Sequence, residues 1–197
     1  LVGLQNLGNT CFMNACLQCL MHTEVLAKFF LSGSLEEMQL CYESTTKGAM
    51  ANAFADLIRY AYRSPSHSSV SPAQVKKLVS KYAPHFSGYG QQDCQEFLRF
   101  LLDGLSEDLN QQQHHRHSCP EPPLVTEDVL RRLPPAEQAD HAWAMHLGRN
   151  DSPISSTFCG QLQSRVTCLT CGRVSLCFDP FFDLSVPVAT VATSSNK

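Results

Sequence analysis

Residues 4–23, "LQNLGNTCFMNACLQCLMHT", pass from a polar, glycine-broken loop into an apolar helix, with Cys11 at the junction. Asn9 and Thr10 are cap candidates for that helix. Phe12, Cys16, Cys19 and Leu20 recur on one face, and Met13, Leu17 and Met21 widen it, so the helix is expected to be largely buried. Two readings of Cys11 then stand. Unpaired cysteine is often core packing. A thiol at a helix start, however, meets unpaired backbone N–H groups and the positive end of the dipole, which favour the nucleophilic thiolate. Gly3 and Gly8 let the loop bend close to a substrate backbone, and the Asn6 amide is spaced to donate to an oxyanion formed by thiolate attack. Spacing alone leaves both readings open. Cys16 and Cys19 form a Cys-x-x-Cys, but both fall on the expected buried stripe, so packing is favoured over a redox pair.

Three more helices are expected before residue 110. One covers roughly 49–62, with Met50, Ala53, Phe54, Leu57, Ile58 and Ala61 as its stripe. The next begins with Ser71 as cap, Pro72 at the first helical position and Gln74 completing a capping box; Val75, Leu78, Val79 and Tyr82 face inward until Pro84 stops it. The last follows Asp93, which with Glu96 forms a capping-box-like start to the apolar face of Phe97, Leu98, Leu101, Leu102, Leu105 and Leu109.

The chain has 197 residues, 43% hydrophobic and 17% charged, which describes a globular domain or part of one. Its net charge of −3 argues against broad phosphate neutralisation and hence against a nucleic-acid binder. No apolar run reaches the length of a membrane span, and no secretory signal is visible. The ten cysteines are spaced for catalytic and metal roles in a reducing compartment rather than for a disulfide framework. The tract "QQQHHRHSCPEPP" reads as a polar surface loop, favoured over a metal site built from His114, His115, His117 and Cys119. A helix is expected around 135–147, carrying Trp143. Beyond Pro153 the pattern alternates, with Cys168–Gly172 as a knuckle between two strands. Two thiolates two residues apart on a strand turn, followed by glycine, make half of a zinc ribbon. Cys159 and Cys177 are poorly spaced to complete the other half.

"GLQNLGNTCFMNACLQCL" resembles the cysteine box of the ubiquitin-specific proteases. "GYGQQDCQEFLRFLLDGL" resembles that family's Gln-Gln-Asp box, and "GQLQSRVTCLTCGRVSLCFDPFFDLSVPV" is similar to its first zinc-finger arm and the strand leading back into the palm. The three signatures occur in the family's order. The resemblance implies an α+β, papain-like thiol protease of thumb, palm and fingers, present as a helical thumb (1–110), a loop and helix insertion (111–157), a first zinc-finger arm with palm strand (158–188) and a tail (189–197). It implies Cys11 as nucleophile, Asn6 as oxyanion donor, Gln91 and Asp93 as holders of ubiquitin's basic, glycine-ended tail, and Cys168 with Cys171 as half of a structural zinc site. Asp93 is expected to cap its helix as well; Glu96 and Phe97 read as structural.

The family's catalytic histidine and its Asp or Asn partner lie late in the domain, after a second zinc pair. His22, His67, His85, His114, His115, His117, His141 and His146 are none of them in that context. The expectation is therefore an N-terminal portion of a deubiquitinase catalytic domain, inactive and poorly soluble by itself, with Val186 and Val188 on an unpaired edge. The full protein would hydrolyse the (iso)peptide bond after ubiquitin's terminal glycine. Its partners would be ubiquitin and ubiquitinated proteins, and its location cytoplasmic, with a nuclear one kept open. The alternative is a truncated, catalytically inactive module that binds ubiquitin or another partner.

Overall fold

The computed structural model describes residues 2–63, 69–112 and 126–187. The histidine-rich tract with Cys119, together with His67, Val188 and the tail, lies outside the described residues. A short strand β1 (Gly3–Leu4) leads into α1 (Cys11–Met21), followed by α2 (Glu24–Leu31), α3 (Ser34–Glu37) and α4 (Ala49–Arg63). Strand β2 (Ser69–Val70), α5 (Ala73–Tyr82), a 3-10 turn at Pro84–Phe86 and α6 (Cys94–Asp108) complete the helical region. Then come α7 (Glu127–Leu130), α8 (Pro135–Leu147), α9 (Pro153–Phe158) and the strands β3 (Gly160–Thr167) and β4 (Val174–Phe181).

The helices close around one core. Met13, Leu17, Leu20 and Met21 of α1, Phe54 and Ile58 of α4, and Phe97, Leu101 and Leu105 of α6 are all buried. Aromatic edges lock the layers: Phe12 meets Phe97 edge-on at 5.7 Å and Phe30 meets Phe54 at 5.2 Å. Truncating a fully buried ring such as Phe54 would cost about 3–5 kcal/mol. β1 and β2 pair in parallel through Gly3↔Ser69 and Leu4↔Val70, which anchors the loop ahead of Cys11. β3 and β4 form an antiparallel hairpin from Gly160↔Phe181 to Thr167↔Val174, with α8 packed on β4. Leu176 and Phe178 on that side are half-buried, while Leu162 and Val166 are exposed.

Several expectations are corrected. Six α-helices, not four, are found among the described residues before residue 110. The unforeseen α2 is short, and its buried Leu26, Ala27 and Phe30 follow no strong capping signal. Cys19 is exposed, because the buried stripe of α1 runs through Met13, Cys16, Leu17, Leu20 and Met21 instead. Thr10 occupies the N-cap position of α1 but makes no side-chain cap; its hydroxyl turns back to the loop, accepting from the Leu7 N–H and donating to Asn6. Asn9 does not cap either, since it sits at φ +49°. The box expected at Ser71 does not form: Pro72 is itself the N-cap residue of α5, and no side-chain cap bond is made there. Asp93, by contrast, caps α6 as expected, its Oδ1 accepting from the N–H groups of Gln95 and Glu96.

Candidate active site

Cys11 is the first residue of α1 and is exposed. Core packing is thus excluded as its role. Its thiol donates to Gln91 Oε1 across 3.3 Å, bringing together residues from two of the three sequence signatures. Gln91 stands in the turn that leads to the Asp93 cap of α6, so the facing of the two helix N-termini creates the contact.

The loop before Cys11 is tied down from three sides. Asn6 Oδ1 accepts from the N–H groups of Gly8 (3.0 Å) and Thr10 (3.2 Å) and from the Thr10 hydroxyl (3.2 Å). These three donors fix the amide's orientation, since they require the oxygen, and leave its NH2 end for an incoming group. Asn9 Nδ2 donates to the Tyr89 carbonyl at 2.8 Å. Lys76 Nζ donates to the Leu7 carbonyl at 3.3 Å and lies 5.2 Å from the centre of the Tyr89 ring. That ring covers Gly8, which holds φ +97°; a Cβ at this position would stand 2.7 Å from Tyr89 Cδ1. Only glycine satisfies both the left-handed backbone and the close ring.

Tyr89 and Lys76 are positioning residues that the sequence reading missed. The glycine-tyrosine-glycine run at 88–90 carried a signal for the first; nothing local marks the second. Asp93 caps α6 through Oδ1 alone, so its second oxygen is not used by the cap. Phe97 is fully buried, and Glu96 is exposed, 3.5 Å from His85.

Among the described residues no histidine contacts Cys11. His22 is bonded to the Gln18 carbonyl at 2.6 Å, His85 lies beside Glu96, and His141 and His146 belong to α8. His146 Nε2 lies 3.5 Å from Cys159 Sγ, and its Nδ1 lies 3.3 Å from Asn150 Nδ2. Burial lowers the His146 pKa from its ordinary value and raises that of Cys159, so both are held neutral.

Cys168 and Cys171 are exposed at the β3–β4 turn. The turn is closed by Cys168 N–H to the Arg173 carbonyl (2.8 Å) and Gly172 N–H to the Cys168 carbonyl (2.9 Å), with Gly172 at φ +69°. Hydrogen bonds from the backbone of Cys171, then of Thr170, and from the Cys171 side chain lower the Cys168 pKa. A thiol whose pKa is lowered by backbone N–H groups on a tight turn suits a zinc knuckle. Among the described residues no third His, Cys, Asp or Glu joins the pair. Cys177 lies down the strand opposite Ser164, and Cys159 precedes the far end of the hairpin.

Comparison with known proteins agrees with this geometry. The family model described as "Ubiquitin carboxyl-terminal hydrolase" matches residues 2–185. The chain is 45% identical over 189 residues to human ubiquitin carboxyl-terminal hydrolase 2, covering 96% of this chain and 30% of that protein. It is 46% identical over 184 residues to ubiquitin carboxyl-terminal hydrolase 8 of Arabidopsis thaliana, covering 93% and 20%. It therefore spans less than a third of the length of these relatives. Among solved structures, the SAGA DUB module of Ubp8, Sgf11, Sus1 and Sgf73 bound to monoubiquitin superposes with a TM-score of 0.59 at 23% identity, over 93% of this chain and 34% of that one. The same module bound to ubiquitin aldehyde gives a TM-score of 0.56 at 21% identity, with the same shares covered. These likenesses bear out the α+β, papain-like fold. No helix of the described residues is long and apolar enough to cross a membrane.

Proposed function

The chain belongs to the ubiquitin carboxyl-terminal hydrolase family, and we propose that it carries the nucleophile-bearing part of a thiol-dependent deubiquitinase. One observation supports this above the others: the exposed Cys11 thiol starts α1, 3.3 Å from Gln91, beside a loop that holds the Asn6 amide with its NH2 end free.

Hydrolysis of the (iso)peptide bond after ubiquitin's terminal glycine then assigns each group a task. The Cys11 thiolate adds to the glycine carbonyl carbon, and the carbonyl oxygen takes up the negative charge. Asn6 Nδ2 donates to that oxyanion, an interaction worth about 10²–10³ in rate where such a donor is removed. Collapse expels the amine, which takes a proton from the general acid, and water then cleaves the thioester. Acid and base are supplied by a histidine outside the described residues. Gln91 reads the extended tail, and the Asp93 oxygen left over from the helix cap faces its basic residues.

Structural zinc, where bound, would be held by Cys168 and Cys171 with two further ligands from elsewhere in the protein, and would clamp the β3–β4 turn. Metal analysis of the full-length protein should show one zinc equivalent lost in Cys168→Ser. Unchanged zinc content would remove the knuckle from this reading. Ubiquitin and ubiquitinated proteins are the proposed partners, and the cytoplasm, with the nucleus also open, is the proposed location.

The deciding experiment measures release of a fluorogenic amine from ubiquitin's C-terminus by the full-length protein. Cys11→Ser should abolish it while the protein stays folded. Activity intact in Cys11→Ser would overturn the proposal. Ubiquitin binding that is lost in Asp93→Arg, in a wild-type protein without hydrolysis, would favour the inactive binding module.

A further inference from the structure

A second pair of cysteines lies where the same two helices meet. Cys16 lies five positions along α1 from Cys11 and is buried, while Cys94 is the first residue of α6 and is exposed. Cys16 Sγ donates to the Cys94 carbonyl oxygen at 3.1 Å, the contact that brings the two residues together. A sulfur that close to the partner cysteine's own backbone is compatible with the short Cα–Cα span, about 4.4–6.8 Å, that a disulfide needs. Neither thiol has a part in the hydrolytic arrangement.

We propose that Cys94 and Cys16 form a hydroperoxide-oxidisable dithiol site, in which Cys94 is oxidised first and Cys16 closes a disulfide that links α6 to α1. The Cys94 thiolate attacks one peroxide oxygen; an S–O bond forms, the O–O bond breaks, and the other oxygen leaves as hydroxide, or as alkoxide from an organic peroxide. The Cys16 thiol gives up its proton and its thiolate attacks the Cys94 sulfur; the S–S bond forms, the S–O bond breaks, and the leaving hydroxide takes up a proton and departs as water. Two thiols lose two electrons in total, and the peroxide accepts them.

Exposure decides the order. The oxidant reaches Cys94, whereas Cys16 is shielded. Burial first, then the charges of Cys94 and Cys19, push the Cys16 pKa up to about 11. Cys16 is therefore a protonated, unreactive thiol at neutral pH until a sulfenic acid forms beside it. Where the closing step limits, its rate should rise about tenfold per pH unit below that pKa, as the thiolate fraction does. The closed bond fixes α1 against α6, and with them the separation of Cys11 from Gln91. The chemistry does not depend on the hydrolytic reading.

Peptide mapping of the intact protein after brief hydrogen peroxide treatment tests the site, with free thiols blocked and trypsin used without reductant. Cleavage after Lys28, Lys81 and Arg99 separates a peptide ending at Lys28, which carries Cys11, Cys16 and Cys19, from Tyr82–Arg99, which carries Cys94. The expected product is these two peptides joined, two hydrogens lighter than their sum and separated by dithiothreitol. The link should persist in Cys11→Ala and Cys19→Ala and vanish in Cys16→Ala and in Cys94→Ala. The exposed Cys94 variant keeps the test decisive if the buried one folds poorly. A link that survives in Cys16→Ala, or Cys94 recovered only as sulfinic or sulfonic acid with no cross-link, would overturn the proposal.

Discussion

The Cys11 thiol and the Gln91 side-chain oxygen lie 3.3 Å apart although eighty positions separate them in the chain. A neutral amide at that distance accepts the thiol proton without imposing a charge. Gln91→Glu would place a carboxylate there, and two unit charges about 4 Å apart in water repel by about 1 kcal/mol. The Cys11 thiolate is expected to become roughly fivefold less populated. Iodoacetamide labelling of Cys11 near neutral pH should slow by that factor in Gln91→Glu and change little in Gln91→Met. Equal rates in wild type and Gln91→Glu would mean that the two side chains are not neighbours in solution.

Asn6 serves two ends at once, and one substitution separates them. Its Oδ1 holds Gly8, Thr10 N–H and the Thr10 hydroxyl, while the proposed oxyanion contact uses Nδ2. Asn6→Asp keeps an acceptor for all three donors but has no N–H to give. In the full-length protein kcat should fall about 10²–10³-fold with KM nearly unchanged, the pattern of a lost transition-state interaction. The melting temperature should stay within a degree or so. A parallel loss of stability would show that Asn6 acts on the loop alone.

What the sequence disclosed and what it hid divide by range. Asp93 as the cap of α6 was legible because a carboxylate, a glutamate three residues on and a helical apolar period are all local. Cys11 at a helix start was equally local, whereas its meeting with Gln91 rests on two loops folding against each other, and only the family resemblance pointed to it. The Ser71 box failed because the proline assigned to the first helical position became the cap residue itself. Cys19 was misplaced because α1 buries the side of Met13 and Leu17 rather than that of Phe12 and Cys19. Lys76 reaching Leu7, and Asp108 reaching the start of α4, span some 60 to 70 residues each and leave no local pattern.

The pairing of α8 with the hairpin should be sensitive to acid through His146. Asn150 Nδ2 donates to the His146 carbonyl at 3.2 Å and faces the ring's Nδ1 at 3.3 Å, so Nδ1 is held as an acceptor and the neutral ring carries its proton on Nε2, toward Cys159. Burial lowers the folded pKa below the ordinary 6.5. The unfolded chain then binds the proton first on acidification, and stability falls as pH drops from 6.5 through the folded value, with a slope limited to about 1.4 kcal/mol per pH unit. Cys159 acts in the opposite direction: burial raises its folded pKa above 9.0, so stability is lost as pH rises from there. Urea midpoints of wild type minus His146→Gln, taken from pH 7.5 to about 5, should show the acid step. A flat difference would remove His146 as its source.

Asp108 is fully buried at the end of α6 and holds the start of α4. Its Oδ1 accepts from the Gly48 N–H at 3.0 Å and its Oδ2 from the Ala51 N–H at 3.0 Å, while the hydroxyls of Ser44 and Thr46 complete the shell. Each oxygen serves a backbone donor at a helix N-terminus, where unpaired N–H groups and the dipole favour an anion. Asp108→Asn is therefore not conservative here. Whichever way the amide turns, its NH2 faces one backbone N–H, leaving that donor unsatisfied at a cost of about 1–3 kcal/mol. For a chain of this size each kcal/mol lowers the melting temperature by about 2–4 °C. A drop of several degrees is expected in Asp108→Asn, with a larger one in Asp108→Ala, where both donors are orphaned. Amide hydrogen exchange should quicken at Gly48 or Ala51, according to which oxygen is replaced, ahead of the rest of α4. If Asp108→Asn melts within a degree of wild type and both amides keep their protection, the carboxylate does not hold the two helices together.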